Sequence, residues 1–370
     1  MLLSSIRSSL SASSRPTARW MSSTSRLSTP VSLLTPKELE QLLSDPKGKG
    51  KGVVVLDGSW HMPGVDRNGF SEFRKKRIEN AAFWDLDQIA SKGNAPHNIP
   101  SKSQFEDAAS RLGIANDSHV VVYDSTGVFS SPRTAFTFKH FNHEKVSILD
   151  GGLPRWEAEG LPIDKEIPSH INPHDLSQEG KAYQPILSEL LYATKPRIES
   201  YFIADIEENF TDYKVAEGLE KSDVVEWEHM NENISKGDSG DLVLDARPSG
   251  RFDGSAPEPR EGLSSGHMPH SINLPSPNVL SKESSTTPAY KTMLPKDELV
   301  KVFIEAMGEE NWELVKKGER RVVNTCGSGM TAAILWLALQ RAGASENVAI
   351  YDESWTGYAS NEKSKIVKKE

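Results

Sequence analysis

The only cysteine of the chain, Cys326, stands in the run NTCGSGMTAA, Asn324 to Ala333. It follows an apolar stretch and precedes the helical pattern TAAILWLALQRAG. If Cys326 ends a parallel strand and Thr331 opens the helix, Gly327 and Gly329 let the backbone curl with its N–H groups inward, and the helix adds its positive end. Ser328 and Thr331 add hydroxyl donors. Such surroundings hold a thiol below the roughly 8.5 of a free cysteine, which suits an accessible nucleophile near neutral pH. A lone cysteine is more often a buried, inert core residue. Two flanking glycines and a hydroxyl favour the reactive reading, because a core position needs none of them.

Two phosphate readings fail on the same residues. A phosphate-cradling loop requires Gly-Lys-Ser/Thr, and Met330 follows Gly329 here. A cysteine-dependent phosphatase needs an arginine six positions beyond its nucleophile, where this chain has Ala332. One cysteine also excludes an internal disulfide framework and a thiolate-rich zinc site. His267 and His270 lack an accompanying ligand cluster, and neither a metal nor an organic cofactor is expected.

The elements that must position Cys326 occur twice. GVVVLDGSW (Gly52 to Trp60) is echoed by GDLVLDARP (Gly240 to Pro248), and SHVVVYDSTGVFSSPRTAF (Ser118 to Phe136) by RRVVNTCGSGMTAAILW (Arg320 to Trp336). VSILDGGLPRW (Val146 to Trp156) is echoed by VAIYDESWTGY (Val348 to Tyr358). Ser125 lies 25 residues before Asp150 and Cys326 lies 26 before Asp352, which aligns Ser125 with the cysteine. Short β-branched runs alternate with helical patterns such as KSQFEDAASRLG and KDELVKVFIEAMG, predicting an α/β fold of two like domains. Each is a mainly parallel sheet flanked by helices. The expected boundaries are 31–164 for a first, non-catalytic domain and 241–360 for the catalytic one. A polar interdomain linker covers 165–240, with helical stretches near ILSELLYA and DVVEWEHM, and a polar tail covers 361–370. Gly343 is the expected stop of the helix after the cysteine.

The chain has 370 residues, 36% apolar and 26% charged, with a formal net charge of -9. That balance supplies no electrostatic footprint for nucleic acid. No run approaches the roughly 18 apolar residues of a membrane span. Residues 1–30 are Arg- and Ser-rich and free of acid, the first acidic residue being Glu38. This is the pattern of a mitochondrial transit peptide. Met21 offers a second start and with it a cytoplasmic form.

The duplicated domain, the loop CGSGMTA, the turn SGHMPHSIN (Ser265 to Asn273) and GRFDGSAPEPREG (Gly250 to Gly262) resemble the two-domain sulfurtransferases of the rhodanese superfamily. Thiosulfate-preferring members carry basic residues after the cysteine, typically Cys-Arg-Lys-Gly. The Gly327 and Ser328 found here are similar to members that take sulfur from 3-mercaptopyruvate. The resemblance implies that Arg251 and Arg260 hold the substrate carboxylate, with the loop Gly327, Gly329, Met330 and Thr331 around it. A planar guanidinium can bind a carboxylate through two bonds. Without the resemblance, each arginine reads as a surface charge or an ion pair with Glu258 or Glu261. Catalysis falls to Cys326 and Ser328: the sulfur attacks the donor, pyruvate leaves, and a persulfide passes its outer sulfur to thioredoxin, a small thiol or cyanide. Thiosulfate is expected to serve less efficiently. The alternatives are a thiosulfate sulfurtransferase and a sulfur-relay or docking protein for tRNA thiolation. Where some relatives have His-Ile-Pro-Gly-Ala, this chain has Arg77 to Ala81, Arg-Ile-Glu-Asn-Ala, so a proton relay through that histidine is not available. Arg77 is left to lend charge or shape to the cleft. Trp355 is read as core.

Overall fold

The computed structural model describes residues 29–44, 52–93, 95–165, 211–216, 222–344 and 346–369. The transit segment up to residue 28 and the linker residues 166–210 and 217–221 lie outside these.

The β-branched runs form the strands that their composition dictates. The first sheet contains β1 (Ser32–Leu34), β2 (Val53–Asp57), β3 (Ala82–Phe83), β4 (His119–Tyr123) and β5 (Val146–Leu149). The second contains β6 (Val224–Val225), β7 (Leu242–Asp245), β8 (Ser271–Asn273), β9 (Val322–Thr325) and β10 (Val348–Tyr351). Their orders, β1-β5-β4-β2-β3 and β6-β10-β9-β7-β8, are the same topology repeated. Every pairing within them is parallel.

The helices of the first domain are α1 (Pro36–Ser44), α2 (Gly69–Lys75), α3 (Lys102–Arg111), α4 (Ser131–His140) and α5 (Gly152–Ala158). Those of the second are α6 (Trp227–Lys236), α7 (Ser249–Asp253), α8 (Lys296–Met307), α9 (Glu309–Lys316), α10 (Ala332–Ala342) and α11 (Ser354–Ser360). α10 is apolar around its whole circumference, and such a helix must be covered on all sides. It is: residues Ala332 to Leu339 are all buried, with α4 against it and the Phe136 and Trp336 rings 5.1 Å apart. Gly343, at φ 106°, ends it as a left-handed cap. One apolar cluster therefore runs from Trp84 and Phe105 of the first domain to Phe303 and Ile350 of the second.

Three placements differ from the sequence reading. The stretch read as linker supplies β6, paired to β10, and α6, so the second sheet begins before residue 241. Tyr213 of the same stretch packs on the Phe105 ring. The polar tail is not loose: Val367 bridges His267, and the Trp227 indole donates to Ser364 Oγ. Ile366, packed against the apolar cluster of the second domain, accounts for it.

The pairing of the two halves also shifts by one residue. Asp57 lies opposite Tyr123, and Asp245 opposite Thr325, so the residues after the strands, Asp124 and Cys326, are the equivalent pair. Their carbonyls accept from Leu153 and Trp355 respectively, each 29 residues on. The counterpart of Cys326 is therefore Asp124, not Ser125.

Candidate active site

Cys326 stands at the carboxyl end of β9, the edge at which parallel α/β sheets bind ligands. The loop folds tightly on the turn after β10. The Cys326 and Gly329 amides donate to Ser354 Oγ at 3.2 and 3.0 Å, and Ser354 donates to the Tyr351 carbonyl. Thr356 donates to the Gly327 carbonyl from its amide and from its hydroxyl, the latter at 2.6 Å. Two of the amides expected to face the sulfur are thus taken by Ser354. The thiol is also recessed, not open as expected: Cys326 is 2% exposed. The apolar neighbours Met330, Ala332 and Ala333 draw it into the shared core. Gly327 and Thr331 form a partly exposed rim above it.

The first domain shows what this loop shape does. There the Asp124 carboxyl group fills the loop, accepting the N–H groups of Thr126, Gly127, Phe129, Ser130 and Ser131 at 2.8–3.1 Å and the Ser131 hydroxyl at 2.7 Å. The backbone converges its donors on an acceptor two atoms beyond the Cβ of the strand-end residue. Around Cys326 no carboxylate of the described residues accepts a loop amide, and the equivalent amides of Ser328, Thr331 and Ala332 have no acceptor among those residues.

Arg251 and Arg260 reach the loop at Gly327, where a Cβ would lie 3.0 Å from Arg251 Nη2 and 3.9 Å from Arg260 Nη1. Arg251 also makes the ion pair that was its alternative reading, donating to Glu258 Oε2 through Nε at 3.0 Å and through Nη2 at 2.5 Å. Arg247 holds the other Glu258 oxygen at 2.7 Å, chelates Asp245 and covers the Trp355 ring at 4.1 Å. Trp355 is wholly buried, as the core reading expects. Arg260 donates to Thr356 Oγ1 at 3.3 Å. Burial pulls its guanidinium below the ordinary value; Arg251 acts in the same sense, while Cys326, Glu258 and Asp87 oppose it. Cys326, Arg260 and a first-domain carboxylate thus share one electrostatic neighbourhood.

Ser328 is 5% exposed, and no described residue binds its hydroxyl. Met330 is 2% exposed, and its side chain packs in the shared core. His267 stacks on Phe252 at 4.0 Å and its Nδ1–H donates to the Phe252 carbonyl, a structural role.

Arg77 does not reach the cleft. It pairs with Asp164 and lies over the Phe73 ring at 5.4 Å, within the apolar cluster on the other face of the first sheet. A histidine that the sequence reading passed over lies at the domain boundary, where its carbonyl accepts from Arg133. His97 Nδ1 stands 2.7 Å from Asp87 Oδ1, and its buried Nε2 has no partner among the described residues. Asp87 also accepts from the Trp60 indole at 3.2 Å, and the Trp60 and His97 rings meet edge to face at 4.5 Å. The signal was thin: Asp87 and His97 are ten residues apart in an irregular stretch, and the left-handed backbone of His97, at φ 63°, is not written in its residue type.

A family model described as the rhodanese-like domain matches residues 35–159 and again 227–361. The thiosulfate/3-mercaptopyruvate sulfurtransferase 1, mitochondrial, of Arabidopsis thaliana is 35% identical over 342 residues, 91% of this chain and 78% of that protein. The 3-mercaptopyruvate sulfurtransferase of Homo sapiens is 30% identical over 87% of this chain and 90% of its own. The crystal structure of Tum1 from Saccharomyces cerevisiae superposes with a TM-score of 0.70 at 27% identity, covering 92% of this chain and 98% of that one. With two such domains, the same fold and the strand-end cysteine in the second of them, the chain belongs to the rhodanese family and is a sulfurtransferase.

Proposed function

We propose that the chain takes sulfur from 3-mercaptopyruvate through a persulfide on Cys326 and releases pyruvate. The first-domain loop carries this reading. Asp124 places its carboxyl oxygens two atoms beyond Cβ, and the outer sulfur of a cysteine persulfide also lies two atoms beyond Cβ. The loop around Cys326 is built for an anion in that place, and Cys326 acquires one only by carrying a second sulfur.

The chemistry balances on the residues present. The Cys326 thiolate attacks the donor's sulfur, an S–S bond forms, and the C–S bond breaks with its electron pair passing to the pyruvate enolate. The donor's thiol proton ends on the pyruvate methyl group, and Ser328 with the His97 and Asp87 pair is the proposed carrier. Arg251 and Arg260 hold the donor's carboxylate over Gly327. An acceptor thiol, on thioredoxin or a small molecule, or cyanide then removes the outer sulfur. Two half-reactions on one covalent intermediate give ping-pong kinetics. Thiosulfate is a weaker donor in this scheme, since no basic residue follows Cys326. The Arabidopsis relative, named mitochondrial, and the Arg- and Ser-rich start support action in the mitochondrion.

The test is pyruvate release by the purified chain with mercaptopyruvate and a thiol, beside a Cys326→Ser control. Mass spectrometry should find one added sulfur on Cys326 after donor treatment. Pyruvate release equal in the two proteins sinks the proposal.

A further inference from the structure

Arg133 belongs to the first domain, on α4, yet its guanidinium ends in the second. Its side chain is 1% exposed. Nη2 donates to the His97 carbonyl at 2.6 Å and pairs with Asp352 Oδ1, while Asp352 Oδ2 accepts the Ile99 amide at 2.8 Å. Both oxygens of the carboxylate after β10 are therefore held by the first domain. Two residues further on, Ser354 holds the amides of Cys326 and Gly329. Arg133 Nη1 stands against the loop itself, since a Cβ at Gly329 would lie 3.2 Å from it. That nitrogen is buried and has no hydrogen-bond partner among the described residues. Burying a guanidinium with an unused donor is costly, so its place calls for a gain elsewhere.

The repeat supplies a comparison within the molecule. Alignment on Asp124 and Cys326 puts Leu335 of α10 where α4 has Arg133. The counterpart of Asp352 is Asp150, which accepts an amide from the other domain, that of Met293, but pairs with Arg155 of its own domain. A carboxylate receiving an amide across the interface is thus common to both halves. Arg155 reaches the second domain only over the Tyr290 ring, at 5.8 Å, so among the described residues an arginine of the other domain pairs with the carboxylate only at Asp352, in the half with the cysteine.

We infer that Arg133 is a positioning residue for sulfur transfer, fixing the cysteine loop and His97 in one frame across the domain boundary. It acts at three points: the His97 carbonyl, the Asp352 carboxylate that sets the Ser354 turn, and Gly329. The first domain then takes part in the reaction through the geometry that it imposes. This rests on Cys326 as the sulfur carrier.

The experiment compares the full chain with Arg133→Met, Arg133→Lys and a packing control on the same helix, Phe138→Leu, whose ring packs on Trp84 and Phe105 instead of on Arg133. In Arg133→Met, kcat for pyruvate release should fall about 100-fold, the size of effect that a displacement near 1 Å produces. KM should stay within about threefold, because Arg251 and Arg260 still hold the carboxylate. Hydrogen exchange of the peptide Asn324–Thr331 should accelerate about tenfold or more, as expected when a local opening becomes easier. Arg133→Lys, which keeps the charge but loses the fork, should recover part of kcat. Phe138→Leu should lower Tm without changing loop exchange. If Arg133→Met does not fold, Arg133→Lys and Asp352→Asn take its place, with the same loop opening expected. Loop exchange no faster than in Phe138→Leu, or a raised KM at unchanged kcat, overturns the inference. Absence of pyruvate from the unmodified chain would sink the mercaptopyruvate reading instead, and loop exchange would still decide the role of Arg133.

Discussion

Glu258 shapes the site without being part of its chemistry. Its side chain is 2% exposed, and its two oxygens are shared between Arg247 and Arg251. A buried carboxylate so clamped fixes the direction in which Arg251 faces Gly327. Glu258→Gln removes the charge that holds the fork, so KM for mercaptopyruvate should rise about tenfold while that for thiosulfate changes less, a loss near 1.4 kcal/mol. Initial rates with both donors check it, and equal changes would detach Arg251 from the carboxylate. The recessed thiol makes a second test. With Arg251 and Arg260 above it, anionic iodoacetate should alkylate Cys326 faster than neutral iodoacetamide, and Arg260→Met should abolish that preference. That Arg251 and Arg260 meet the cysteine loop was expected from the family pattern they matched, and the lone cysteine among glycines drew attention by its type. Glu258, Thr356 and Ser354 were not, since a glutamate, a threonine and a serine in loops have many ordinary uses.

The cysteine loop draws its shape from glycine and from contacts made by other elements. Gly329 has φ 80°, and a Cβ there would meet the Asp352 carbonyl at 2.9 Å as well as Arg133. Gly329→Ala should cost about 1–2 kcal/mol of stability from the left-handed backbone alone. It should also lower kcat by pushing the loop off Ser354; a variant with unchanged Tm and kcat would show the loop to be pliant. The ends of β2 and β7 contrast in charge. Asp245 is neutralised by Arg247, whereas Asp57 sits buried with Ser59 and Tyr123 for company, and burial pushes its carboxyl up to about 7. The folded chain therefore keeps a proton there that the unfolded chain has lost, and this site makes stability fall as pH rises from about 4 to about 7. Asp57→Asn should raise Tm at pH 8, with a gain that vanishes near pH 4. Melting curves across that range check it, and a gain independent of pH would contradict the assignment.

At the scale of the molecule, the two domains share one core. α10 is covered on one side by its own sheet and on another by α4, so separation exposes apolar surface on both halves. Thermal melting of the whole chain should show one transition. A fragment of residues 222–370 should fail to fold as a soluble unit, as seen by gel filtration and circular dichroism. A soluble, folded fragment would show that the interface is dispensable. The first domain also binds the second through charge: Asp352 of the second is held by two of its groups, Arg133 and the Ile99 amide.

Repetition, the parallel sheets and the helix after the cysteine were legible in the sequence because local patterns determine them. β-branched runs make strands, apolar residues around a full turn make a buried helix, and a cysteine among glycines marks a turn before that helix. Tertiary structure decided which residues meet. It moved the counterpart of Cys326 to Asp124, since strand register depends on pairing and not on likeness of letters. It turned Arg77 toward Asp164 and set His97 beside Asp87, because a side chain's partner depends on the chain's path through space. It also set the cysteine beneath its rim and carried Arg133 across the domain boundary, where residues 219 positions apart form one ion pair. Such contacts leave no periodic trace along the chain; they exist only once the two sheets share a core.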